Sequence, residues 1–164
     1  MNFIVRLINA FAKILLGKIE GYVMLEGLPV ANILRSRQEA EEFNAALIKA
    51  MRLLKEYSPV SYRRVIRCIG GLHNIKGKYI AAYNGCVRIC DIDFPWLVRE
   101  SSNPVESLAV LLIHESIHAL IWKKGIRETA ANSHDIELIC KRVEYRFWKW
   151  LHERNSDHQA SEVW

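Results

Sequence analysis

The chain has 164 residues, about half of them apolar and a quarter charged, which excludes wholesale disorder and leaves room for one domain with a real core rather than two. Its net charge of +5 and pI of about 9.1 favour anionic partners such as nucleic acid or a lipid surface, but only weakly. Arg63, Arg64 and Arg67 form the tightest basic cluster, which reads as a solvated face. None of the four cysteines stands in a CxxC pair, so a zinc ribbon is unsupported, and reduced core thiols in a cytoplasmic protein are expected.

In chain order, Phe3, Leu7, Ile8, Phe11, Ile14 and Leu15 recur at helical spacing. Arg6 and Lys13 interrupt the run, which is too short to span a bilayer and has no clean small-residue cleavage site. Residues 3–16 read as a helix docked on the domain, with a membrane-surface helix as the alternative. Gly17, Gly21 and Gly27-Leu28-Pro29 punctuate its end. A second helix is expected from about Ser36 to Tyr57, with Ala40, Phe43, Leu47, Ala50, Met51 and Leu54 on one face and Pro59 as its stop. Residues 1–60 therefore read as a helical N-terminal region.

The period then changes. Tyr62 to Ile69 is rich in β-branched and aromatic residues and reads as a strand. Lys78 to Tyr83 and Cys86 to Ile92 read as two more, joined by an Asn84-Gly85 hairpin, giving a small antiparallel sheet. Asn103-Pro104-Val105-Glu106 combines a cap, a first-turn proline and an acidic third position, so a helix should run from there to about Lys124, with Gly125 as its C-cap. Ser133 can cap a last helix, His134 to about His152, whose apolar stripe is Ile136, Ile139, Cys140, Val143 and Phe147. The tail after Arg154 reads as frayed.

The chemistry concentrates in His114-Glu115-Ser116-Ile117-His118. Two histidines four apart on a helix project from one face, one turn apart, so both rings can reach one zinc ion. Glu115 lies beside that face but is offset from it, as a carboxylate that takes a proton from attacking water must be. The flanks Leu111, Leu112, Ile113, Ile117, Leu120 and Ile121 are apolar. Burying two histidines and a glutamate there without a partner is costly, and a cation supplies the partner. A catalytic zinc needs a third protein ligand. His134 is the first candidate, Glu137 its rival three residues on, and Glu128 a third. Trp122, Trp148 and Trp150 read as packing, Tyr79 and Tyr83 as sheet residues, and His73, His152 and His158 receive no role.

The run from His114 through Trp122 to Gly125, followed by His134, resembles the SprT-like (Spartan-type) zinc metallopeptidases. The similarity covers about Tyr62 to Leu151, and its specific part is the last two helices. It implies zinc ligands at His114, His118 and His134, Glu115 as general base, and a hairpin ahead of the active helix. Residue 135 is Asp where the family commonly has Gly, and the zinc ribbon of many members is absent.

The expectation is an α+β, zincin-like single domain over residues 1–164, with a catalytic core at 62–152, a small antiparallel sheet with a β-hairpin, an active helix and a C-terminal helix. Its function would be hydrolysis of peptide bonds in a protein or peptide substrate with Zn2+ as cofactor. The alternative is a zinc-containing binding module that hydrolyses nothing and docks on DNA or a membrane surface.

Overall fold

Tyr22–Leu25 (β1) and Leu28–Asn32 (β2) pair as an antiparallel hairpin, with Glu26 and Gly27 at φ of 48° and 83°. Two successive left-handed residues make the type of turn whose twist matches paired strands. The structure is a computed structural model that describes residues 22–161, with side chains through residue 153. The helix expected at residues 3–16 lies outside the described residues. The Gly27 turn belongs to this hairpin, which the sequence reading missed because β2 is buried along most of its length and shows no alternation.

The described residues form an α+β fold of five helices and a five-stranded mixed sheet in the order β1-β2-β3-β5-β4, where β3 is Gly71–Asn74, β4 Ala81–Asn84 and β5 Ile89–Ile92. The outer pairs are antiparallel, whereas β2–β3 and β3–β5 are parallel. The expected small antiparallel sheet is thus corrected to a larger mixed one. Parallel neighbours need a crossover, and two helices between β2 and β3 provide it.

The first of these, Arg37–Tyr57 (α1), matches the expected helix and opens with a Ser36–Glu39 capping box. The second, Pro59–Cys68 (α2), replaces the strand expected over Tyr62 to Ile69. Pro59 occupies the first helical turn instead of only ending α1, and Ser61, Val65 and Cys68 are buried at helical spacing. Arg63 and Arg67 are exposed, as a solvated face requires. Arg64 is not: its Nε donates to Ser116 Oγ at 2.8 Å.

The hairpin at Asn84-Gly85 exists, but its loop takes four residues, 85–88, closed by Arg88 at φ 60°. Asn84 Oδ1 accepts the Cys86 N–H at 3.1 Å, a local bond that draws the chain out of the two-residue turn. A short helix, Phe94–Glu100 (α3), follows. Asp93 caps it and forms a buried ion pair with Arg35 at 2.8 Å, both side chains 8% exposed.

Pro104–Lys123 (α4) has the expected Asn103 cap, and Gly125 follows it at φ 85°. By length and composition, with a mean hydropathy of 1.4, α4 could cross a membrane. In the fold, its Leu108, Leu112 and Ile113 belong to the main core, with Leu47, Met51 and Leu54 of α1 and Val30, Leu72 and Ile92 of the sheet. The last helix, Ser133–Ser161 (α5), is longer than expected and buries Ile136, Cys140, Phe147 and Leu151. Ile139, placed on the stripe from sequence, is exposed.

Candidate metal centre and adjoining cleft

His114 and His118 sit one turn apart in the middle of α4, and their Nε2 atoms face each other at 3.0 Å. One oxygen of Glu137, on α5, lies 3.2 Å from His118 Nε2, and the other lies 3.7 Å from His114 Nε2. A tetrahedral zinc with bonds of about 2.0 Å separates its donors by roughly 3.3 Å, so the two Nε2 atoms suit one cation, and Glu137 approaches each ring through a different oxygen.

The outward nitrogens are also held. Glu144 pairs with His114 Nδ1, and Glu128 lies 3.3 Å from His118 Nδ1. A carboxylate on Nδ1 leaves the Nε2 lone pair free to bind a metal and fixes the plane of the ring. Both histidines are therefore oriented, by two different carboxylates, toward the space beside Glu137.

Glu115 is 5% exposed, and the Tyr83 N–H of β4 helps hold its carboxylate. Burial lifts its pKa to about 7; Glu137 and Glu144 push the same way, while His114 and the Tyr83 N–H oppose them. His114 is lowered by burial but raised by Glu144, Glu115 and Glu137, and the net direction is upward. Beside burial, which dominates at Glu115, nearby carboxylates push both groups upward, and a cation at the Nε2 atoms would oppose that push.

Cys140, also on α5, joins the histidines in a second donor group, with His114, His118 and Cys140 ligand atoms within 4.8 Å of one another. These three residues could hold a metal. Burial, with nearby carboxylates adding to it, pushes the thiol up to about 12, so a cation would have to displace its proton. Glu137 offers a carboxylate beside the same two rings, and two histidines with one carboxylate are also a donor set that zinc accepts.

The expected third ligand, His134, does not reach this centre. It is exposed on the first turn of α5, and its ring is absent from the donor groups found among the described residues. On a helix, residues 137, 140 and 144 share a face, and residue 134 lies about one turn before Glu137. Glu137, its rival, lies beside both rings. Glu128 reaches His118 from the loop between α4 and α5. Glu144 received no role from sequence, although its i+7 spacing from Glu137 marks it as facing the same way.

Trp122 serves as packing, with its indole filling the space that a Cβ on Gly85 would need and Arg127 stacked 3.7 Å over the ring. It also lines a small cavity of about 230 Å³ with His118 and Glu128. Tyr79 is exposed at the rim, and Tyr83 packs half-buried against the core. A larger cleft of about 770 Å³ opens on the other side of the centre, floored by α4 and walled by α5 and the residues leading into β4. His114, Glu115 and Glu144 line its inner end. Compared with protein-family models, curated proteins and solved structures, the chain finds no match in any of the three.

Proposed function

We propose that the chain is a zinc metallopeptidase with a zincin-like fold, akin to the SprT-like family it resembles in sequence, and with Glu137 rather than His134 completing the ligand set. The observation that carries this reading is the pair of histidines whose Nε2 atoms converge with Glu137 while Glu144 and Glu128 hold their Nδ1 atoms. Two histidines and a glutamate are a donor set that catalytic zinc uses, with the fourth position left to water or substrate. When bound, zinc supplies Lewis acidity that polarises a carbonyl and acidifies water.

The protein's own groups do the rest. Glu115, beside the cleft and poised near neutrality by burial, accepts a proton from the attacking water and returns it to the leaving nitrogen. Substrate main chain lies along β4, an edge strand. Ile80 C=O accepts the Asp93 N–H, so alternate residues of β4 turn their polar groups to β5, while Ala81 turns its own outward and the Tyr83 N–H is taken by Glu115. An added strand takes its hydrogen bonds there.

The test is metal analysis and peptide cleavage on the same preparations. Wild type should bind about one zinc and cleave, and Glu115→Gln should keep the zinc and lose about 10²–10⁴-fold in turnover. A wild type that takes up no metal would end the proposal. Ala81→Pro removes an outward N–H and no ladder bond, so it should lower turnover without releasing zinc; release of zinc would make β4 structural instead.

A second reading, a binding module that keeps zinc without hydrolysis, rests on the outer face of α5. Lys141, Arg142, Arg146 and Lys149 surround the exposed Tyr145 there. Binding of DNA or anionic vesicles that weakens steeply with salt, together with no turnover to lose in Glu115→Gln, would favour it.

A further inference from the structure

The large cleft differs in charge from the rest of the chain. The protein carries 23 Lys and Arg against 18 Asp and Glu, yet the cleft lining contains three carboxylates, Glu106, Glu115 and Glu144, and no lysine or arginine. Glu115 and Glu144 belong to the metal centre. Glu106 does not: it stands at the opposite end, in the first turn of α4, with its side chain 23% exposed.

Between these ends the walls are mostly apolar, with serines gathered toward the Glu106 end. Val110 and Leu111 form the floor, and Trp96 and Trp148 stand at the sides. His152 Nε2 lies within ion-pair distance of Glu106, at 3.7 Å, and bounds the far end from α5, so a cationic head enters beside it. Glu106 and His114 are eight residues apart on one helix, so the trough is about 12 Å long.

That length and this ordering of chemistry select a class of side chain. We propose that the cleft is a specificity pocket for a lysine or arginine adjacent to the scissile bond, with Glu106 receiving the cationic head; this rests on the peptidase reading above. An extended lysine or arginine reaches roughly 7 Å from its Cα. The Cα of the residue beside a carbonyl at the metal accounts for most of the remaining distance. The methylene stem lies against Val110, Leu111 and the two indoles, where apolar surface is buried at little cost to the charge. The indoles also add cation–π attraction to the head group. An aspartate or glutamate would meet Glu106 and Glu144 instead and is excluded.

The experiment uses the full chain loaded with zinc and a peptide library varied at the positions flanking the cleavage point. Wild type should prefer lysine or arginine over norleucine at one flanking position by tenfold or more in kcat/KM. Glu106→Gln should lower that ratio toward one, and Glu106→Lys should invert the ranking of basic and acidic peptides. A wild type with no preference for basic residues, or with a preference for aromatic ones that Glu106→Lys leaves unmoved, overturns the proposal.

Binding separates this failure from failure of the peptidase reading. In Glu115→Gln, an arginine-containing peptide should quench tryptophan fluorescence with at least tenfold higher affinity than its norleucine analogue, and Glu106→Lys added to that background should abolish the difference. If wild type cleaves nothing but this discrimination persists, hydrolysis is refuted and the pocket stands. If cleavage occurs and peptide affinity is indifferent to Glu106, the pocket is refuted and hydrolysis stands.

Discussion

Each histidine of the centre acts through a neighbour that holds its far nitrogen. Removing such a carboxylate costs metal affinity without removing a ligand, by about 10–100-fold. Glu144→Ala should therefore weaken zinc binding by that factor in a competition titration, whereas Glu137→Ala should lose far more because a ligand is gone. His134→Ala should leave the stoichiometry at the wild-type value, since the ring is exposed and outside the donor groups. Loss of zinc in His134→Ala with retention in Glu137→Ala would restore the ligand set implied by the family resemblance. That His114, Glu115 and His118 share one helix, with the two rings side by side, was legible in sequence because their spacing lies within two turns. The choice among His134, Glu137 and Glu128 was not, because it depends on how α5 rotates and where the loop returns.

At the scale of elements, two contacts fasten the frame around the centre. The first is Trp122 of α4 against Gly85 of the β4–β5 loop, where even a methyl group has no room. Gly85→Ala should cost about 1–3 kcal/mol in chemical denaturation, as overpacking does. The second is the Arg35–Asp93 pair, which joins the start of α1 to the start of α3. Burial alone would raise the Asp93 carboxyl, but the Gly77 N–H, the Arg35 guanidinium and the Trp96 N–H outweigh it and hold the pKa below the usual range. Its contribution to stability is thus full above about pH 4 and lost as pH falls through the depressed folded value. Asp93→Asn should flatten that acid limb and cost about 2 kcal/mol at neutral pH, because Arg35 loses its charged hydrogen-bond partner and keeps Glu39 at 3.8 Å.

For the molecule as a whole, the buried carboxylate at the centre ties stability to protons, and a metal bound there would change that dependence. Without a cation, the raised Glu115 favours the folded state while protonated. That contribution is fully present below about pH 4.5 and is lost as pH rises through about 7, on the order of 3 kcal/mol. Metal-free protein should therefore show a falling melting temperature over that interval, and saturating zinc should flatten it. Parallel curves with and without zinc would place the cation elsewhere. The basic surface and the acidic cleft add a salt dependence, since screening should reduce any preference for cationic peptides.

The amino-acid sequence by itself determined the helix that carries His114, Glu115 and His118, the caps that bound it, and the helix from Arg37 to Tyr57, because each is encoded by neighbours within a turn or two. Tertiary structure decided the rest. Residues 59–68 are helical because burying one face, Ser61, Val65 and Cys68, outweighs the strand preference of Val60, Val65 and Ile66. The sheet is mixed because two helices intervene between β2 and β3. Glu137 and Glu144 meet the histidines because α5 packs with that face inward, a pairing across 19 to 30 residues that no local pattern records.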